Sequence, residues 1–368
     1  MKIKYNEISR NEKCPCGSDK KYKTCCLNKA DTRENLISKN LSPQSNLDNY
    51  LKSSFIKNCI YHDQSKCSEK IIKAHSIQNN KILSSLSVNG EVVVLRLNAE
   101  LESLNFKGQE IGKKIATIFS GFCSYHDKTV FQPIEDIDYI NNEEQNFLFA
   151  YRTFAYEYHK KLEQINAFRI LVRNIPSILK NKKMVSYYRS LQASGNDTNF
   201  FKTFFDNAII NKDYKGISTL LLKFNGNANI AVCSGFFLEY DLNGNILNDV
   251  QSLNPERLKL LMLYIFPQNN DTFIIFNYLT EDTEFYNSFL TSTRNFKEEL
   301  QVRLLNNIIP SYCQNVVINP KLWDSFSISE KNEYLSVLTY TFTDYDDTQK
   351  KNLLRRPKYN LFKEVLVA

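Results

Sequence analysis

The sequence predicts an α+β fold: a small cysteine-rich module at the N-terminus, a second module rich in cysteine and histidine, a helical connector, and a C-terminal α+β domain with antiparallel strands. Three observations carry this reading. Seven of the nine cysteines and three of the four histidines lie within the first 126 residues. Aromatic residues recur at helical spacing after residue 141. Beyond residue 198, β-branched and aromatic runs alternate with turn signals. At 368 residues the chain can form two or three cores, and 42% hydrophobic with 24% charged residues is an ordinary globular balance. No apolar run approaches the ~20 residues that span a bilayer. The start, Met1 to Tyr5, is polar and basic and does not read as a secretory leader. The expectation is a cytoplasmic protein in a reducing compartment, with no membrane partner.

The first module is Cys14-Pro15-Cys16-Gly17-Ser18, followed by Cys25-Cys26. A tight turn supplies two thiolates and the next short segment two more, which is the arrangement of a structural zinc site. So short a stretch buries little apolar surface, so the metal supplies most of its folding energy. Ser9 to Cys26, with its Gly-Ser turn and its Lys20-Lys21-Tyr22-Lys23 run, resembles the SEC-C motif. That resemblance covers under a tenth of the chain. It implies a zinc-stabilised contact module for a protein or ribosome partner, of the kind appended to many bacterial proteins. The wealth of Asn, Lys and Ile also points to an AT-rich bacterial source.

Charge is unevenly placed. Residues 1–130 carry 21 Lys and Arg against 13 Asp and Glu, whereas residues 131–368 carry 26 against 27. The excess positive charge therefore accompanies the cysteine-rich part, where it would attract phosphates and make binding salt-dependent. Nucleic acid is the expected partner of residues 1–130; a solvated lysine-rich surface is the plainer alternative.

The second module contains Cys59, His62, Cys67, His75, Cys123 and His126. Cys123-x-x-His126 is a zinc half-site, because two intervening residues let one turn present both side chains to an ion. Cys59 and Cys67 complete a second structural zinc site. His62, three residues after Cys59, competes for a ligand place, and so does His75. The layout resembles the zinc-stabilised HNH nucleases, whose core is a treble clef of two strands and a helix. The resemblance implies Cys59 and Cys67 as the first ligand pair and Cys123 and His126 as the second. It also implies His75 as general base and Asp127 as a ligand to a catalytic Mg or Mn ion. Three departures stand against it. Ala74 replaces a metal-binding Asp or His, seven residues rather than two separate Cys59 from Cys67, and Ile118 replaces a frequent asparagine. An inserted hairpin around Val92 to Leu97 would fill the long stretch between His75 and Cys123.

The remaining elements follow in order. The segments expected are 1–30 for the SEC-C module, 31–50 for a polar linker, 51–138 for the HNH-like module, 139–197 for the helical region and 198–368 for the α+β domain. Phe147, Tyr151, Phe154 and Tyr158 form one helix face and read as core. Pro176 ends or bends that helical run. Ser194 to Asn199, with Gly195 inside it, reads as a break. Strands are expected at Ser218 to Phe224, Ile230 to Tyr240 and Thr272 to Tyr278. Turns are expected at Asp241 to Asn245 and Pro267 to Asp271, and helices at Glu284 to Asn307 and Glu330 to Tyr340. Cys233 and Cys313 read as core.

Two functions follow. One is an HNH-like nuclease or nucleic-acid-binding effector, whose architecture resembles bacterial defence proteins against phage or foreign DNA. The other is a non-enzymatic zinc adaptor. Zinc bound by His75 would favour the adaptor; a second metal-liganding group within reach of His75 and Asp127 would favour the enzyme.

Overall fold

The structure is a computed structural model that describes residues 7–68, 70–101, 103–250, 257–344, 347–363 and 365. Its first helix, α1 (Pro43–Ser54), starts where Ser42 caps the backbone N–H of Ser45 and Pro43 occupies the first helical turn. The stretch read as a linker is thus half helical. A short ribbon follows: β1 (Ala74–His75) pairs antiparallel with β4 (Ile118–Phe119). Between them lie the three-residue helix α2 (Ser84–Leu86) and the hairpin β2 (Glu91–Ala99) and β3 (Leu104–Gly112). The insert expected around Val92 to Leu97 is this longer hairpin, with those residues inside the single strand β2. Next come α3 (Ser124–Glu135) and the long helices α4 (Glu143–Asn174) and α5 (Lys182–Asn211).

The last stretch holds β5 (Ile217–Asn225), β6 (Ile230–Phe236), β7 (Leu261–Gln268) and β8 (Asp271–Leu279). It continues with α6 (Thr283–Asn295), α7 (Glu298–Tyr312), β9 (Val316–Ile318), α8 (Pro320–Ser325) and α9 (Ile328–Thr339). The fold is α+β with antiparallel sheets, as the sequence predicts.

Two compact units divide the chain. The smaller comprises Met1–Lys57, Ala99–Ser103 and Tyr158–Phe204; the larger comprises Asn58–Asn98, Leu104–Glu157 and Phe205–Ala368. In the smaller unit the N-terminal cysteines sit in a cluster with Phe168, Val172, Leu179 and Leu191 of the long helices and the turn between them. Arg189 pairs with Glu12 at 2.9 Å, and the Asp31 carboxylate accepts from the Ser177 hydroxyl at 2.6 Å.

The larger unit contains a seven-stranded sheet in the order β3-β2-β9-β6-β7-β8-β5. The hairpin inserted after β1 therefore extends a sheet made mostly of C-terminal strands, with Val93 opposite Ile318. One face of the sheet carries Leu222, Val232, Leu263 and Phe276, packed with Phe289, Ile308 and Tyr334 of the C-terminal helices. On the other face Phe149 of α4 lies 4.7 Å from the Tyr264 ring and 5.2 Å from the Phe266 ring. Covered on both faces, β7 is apolar without alternation, which is why period-two reasoning passes over it.

Several local expectations are corrected. Gly195 does not break a helix; α5 runs through it to Asn211, since one glycine's propensity cost of about 1 kcal/mol is small against a helix of 30 residues. The strand expected at Ser218 to Phe224 is found as β5, Ile217–Asn225. The strand expected through Tyr240 ends at Phe236. The single helix expected from Glu284 to Asn307 is two, α6 and α7, parted at Phe296 and Lys297. Pro267 and Gln268 stay in β7, and the turn is Asn269-Asn270, both with positive φ (54° and 64°), which is the two-residue hairpin geometry. At Asp241 the carboxylate accepts from the N–H groups of Asn243 and Asn245, both at 2.8 Å. Its oxygens are engaged in a turn, as expected.

Gly108 on β3 faces the indole of Trp323: a Cβ there would come within 2.7 Å of the ring. Gly108→Ala is expected to lower stability by about 1–3 kcal/mol through overpacking, read as a reduced urea midpoint at unchanged slope.

Candidate metal centres

The first centre is shaped by backbone turns. The N–H of Cys14 bonds the Lys20 carbonyl at 2.8 Å and that of Gly17 bonds the Cys14 carbonyl at 3.1 Å. Gly17 sits at φ +74°, a conformation glycine tolerates without strain. The 3₁₀ turn Tyr22–Thr24 then delivers Cys25 and Cys26. The four sulfurs lie within 4.8 Å of one another. Cys16 Sγ is 3.5 Å from Cys25 Sγ, and Cys25 Sγ is 3.7 Å from Cys26 Sγ. A tetrahedron of Zn–S bonds of about 2.3 Å has edges of about 3.8 Å, so the cage fits zinc. Burial raises the Cys14 thiol to about 11. Burial also raises Cys16, but the Ser18 hydroxyl and neighbouring thiols outweigh it and bring that thiol down to about 7. Four crowded thiols, three of them buried, do not ionise together unless a cation compensates them.

The second centre joins a loop to a helix start. Asp63 caps the 3₁₀ turn Gln64–Lys66, which presents Cys67. Cys123 is the N-cap of α3 and His126 lies one turn on. His126 Nδ1 is 3.3 Å from Cys123 Sγ, 3.4 Å from Cys59 Sγ and 3.6 Å from Cys67 Sγ. The corresponding S···N edge around zinc is about 3.5 Å. The three sulfurs and one nitrogen therefore fit one tetrahedral ion, with Nδ1 as the imidazole donor. Burial acts upward on the Cys123 thiol, yet the His126 N–H and Ser68 bring it down to about 7. Tyr61 stacks on the His126 ring at 4.1 Å. His62 contacts Tyr61 and His75 lies on β1, so neither belongs to the converging set.

His75 is held by the ribbon. Its Nδ1 is 3.0 Å from the Ala116 carbonyl, which only accepts, so Nδ1 carries the proton and Nε2 the lone pair. The next carbonyl, that of Thr117, accepts from both the N–H and the hydroxyl of Ser76, each at 3.0 Å. Thr117 has φ +56°, a costly conformation for a β-branched residue, where the Ala116 and Thr117 carbonyls meet His75 and Ser76 in turn. Burial lowers the His75 pKa, against a smaller raising effect of the Ala116 carbonyl.

Asp127, on α3, is pushed upward by burial and held back by the Arg152 charge. Arg152 is buried, donates to Glu135 Oε1 at 2.7 Å and lies 4.1 Å from the Phe131 ring centroid. Arg152 and Glu135 act on both His75 and Asp127, so the four groups share one electrostatic environment. Among the described residues, the two cysteine-containing cages are the sets of metal-binding groups that converge; His75, Asp127 and Glu135 do not form a third. Sequence reasoning missed Glu135 and Arg152. The available signal was a charged residue beside Tyr151 in a helix predicted to be core.

Residues 10–28 match the SEC-C motif family, a zinc-binding motif. The second module matches no family, so the likeness to HNH nucleases has no such support. No curated protein and no solved structure matches the chain.

Purified chain should hold two zinc ions. Cys16→Ser should remove one and leave the other, and His126→Ala should do the converse. Metal analysis by mass spectrometry reads both; loss of both ions from either variant would contradict two separate cages.

Proposed function

We infer that the chain is a zinc-organised protein acting on nucleic acid, with an HNH-like module in which His75 serves as general base for phosphodiester hydrolysis. The observation that carries this reading is the position of His75. It lies on the two-stranded ribbon that leads into α3, outside the zinc cage, with its proton committed to Ala116 and its Nε2 lone pair left as the basic atom. A burial-lowered pKa keeps the ring neutral near pH 7, the form that accepts a proton.

In this reading Nε2 of His75 takes a proton from water, the resulting hydroxide attacks phosphorus, and the phosphorus–oxygen bond to the leaving sugar breaks. A Mg or Mn ion, with Asp127 as its ligand, would neutralise charge on the phosphate and leaving oxygen. Glu135 and Arg152 fix the charge balance around that carboxylate. The zinc ions hold the scaffold and take no part in the reaction.

Lys70, Lys73 and Lys128 support a polyanionic substrate. All three are exposed, and their side-chain amines make no hydrogen bond or ion pair among the described residues. The segment holding Lys70 and Lys73 runs beside the N-terminus of α3, with the Ser124 N–H bonded to the Lys70 carbonyl at 3.2 Å. The SEC-C module would serve as a contact site for a protein or ribosome.

A second reading is the non-enzymatic adaptor. Buried Ala74 where a ligand is needed, and the absence of a third converging ligand set among the described residues, favour it.

His75→Ala should reduce Mn- or Mg-dependent cleavage of DNA or RNA by about 10²- to 10⁴-fold while zinc content stays unchanged. Because burial lowers the His75 pKa, the base form persists to lower pH than usual. The acid limb of the rate profile should therefore fall below the ordinary histidine value of about 6.5. Replacing Lys70, Lys73 and Lys128 with Ala should flatten the slope of log affinity against log salt by up to about 3. Absence of cleavage with either metal, together with partner capture that survives His75→Ala, would establish the adaptor instead.

A further inference from the structure

A cleft of about 380 Å³ opens beside the N-terminal cysteine cage, within the smaller unit. Its apolar side includes Phe168 and Tyr188, whose rings stack 5.4 Å apart at 15°. Arg169 also lines it. The arginine stem lies directly on Gly17: a Cβ there would come within 2.8 Å of Arg169 Cδ and Nε. Only glycine permits that approach, and Gly17 already has φ +74°.

The Arg169 head is uncommitted. It is exposed and makes no hydrogen bond or ion pair among the described residues. Asp19 acts on it only at range, since the Asp19 carboxylate is taken by Lys13 at 2.9 Å. A guanidinium whose stem packs on a glycine and whose donors are free can receive an oxyanion.

Two further features point to a ligand with more than a charge. Gln192 and Asn196 line the cleft four residues apart on α5, hence on one helix face. Asn196 offers a donor and an acceptor, and Gln192 offers its amide donors, its Oε1 accepting from Arg189 at 3.1 Å. Gly195 lies between them and also lines the cleft. Glycine is unfavourable inside a helix, and packing does not require it here: a Cβ would meet only Ile165 Cδ1, at 4.0 Å. Its effect is to keep the cleft open.

We propose that this cleft binds a mononucleotide-sized aromatic anion. The ring lies against Tyr188, Gln192 and Asn196 read its hydrogen-bonding edge, and Arg169 takes the phosphate. The volume is that of a small-ligand site. The proposal is independent of His75 and of any cleavage activity.

The test is calorimetric and NMR titration of the zinc-loaded full chain with adenosine monophosphate. Saturable binding is expected, with adenosine and ribose 5-phosphate each at least tenfold weaker. Arg169→Ala should weaken adenosine monophosphate at least tenfold. Gly195→Met, which fills the cleft and improves helix propensity, should abolish binding while zinc content holds and the thermal midpoint does not fall. The proposal is overturned by no saturable binding, by binding that both variants leave unchanged, or by inorganic phosphate competing as well as the nucleotide, which would mean an adventitious ion only.

Discussion

The cage of Cys59, Cys67, Cys123 and His126 is the constraint on which the candidate site depends. The ribbon that carries His75 has only two registered strand pairs, Ala74–Phe119 and His75–Ile118. A two-stranded ribbon is marginal by itself in water, and closing it over the long insert of β2 and β3 adds entropic cost. Two of the cage's donors, Cys123 and His126, open α3, and the main chain at Cys123 bridges to Ile71 just ahead of β1. A structural zinc ion in that cage would contribute on the order of 10 kcal/mol or more to folding, enough to fix that junction. The insert is anchored in turn, because β2 pairs with β9 in the large sheet.

Within that frame sit polar groups whose placement is costly to stability. A buried arginine is expensive unless its charge is compensated, and an apolar residue of similar size often serves stability as well. Arg152 is compensated by Glu135 at contact distance and by Asp127 at range. These carboxylates belong to α3, the helix that Cys123 and His126 open. Thr117 is strained where it presents its carbonyl and that of Ala116 to β1. Strain and buried charge at one place are the marks of a site held in position by the surrounding fold.

The metal cages were legible because ligand chemistry restricts both residue type and spacing. All eight residues named from Cys14 to His126 converge in two groups, and the choice between His126 and the other histidines needed only coordinates. The helix carrying Phe147, Tyr151 and Phe154 was legible from periodicity, since those side chains are buried. What sequence could not reveal depends on tertiary packing. β7, buried on both faces, has no alternation to detect. Gly195 looks like punctuation but sits inside a helix fixed by its neighbours. The pairing of β2 with β9 joins residues more than two hundred positions apart, so no local pattern announces it. Glu135 and Arg152 acquire meaning only when α3 and α4 come together.

The central claim is that zinc is held through His126 while His75 remains a free neutral base. Long-range proton–nitrogen correlation spectra of the imidazole rings in zinc-loaded protein test it most directly. The account predicts that His126 binds metal through Nδ1, and that His75 is metal-free with its proton on Nδ1 and an unprotonated Nε2 at pH 7. A metal-bound His75, or a His75 ring protonated on Nε2 alone, would contradict it.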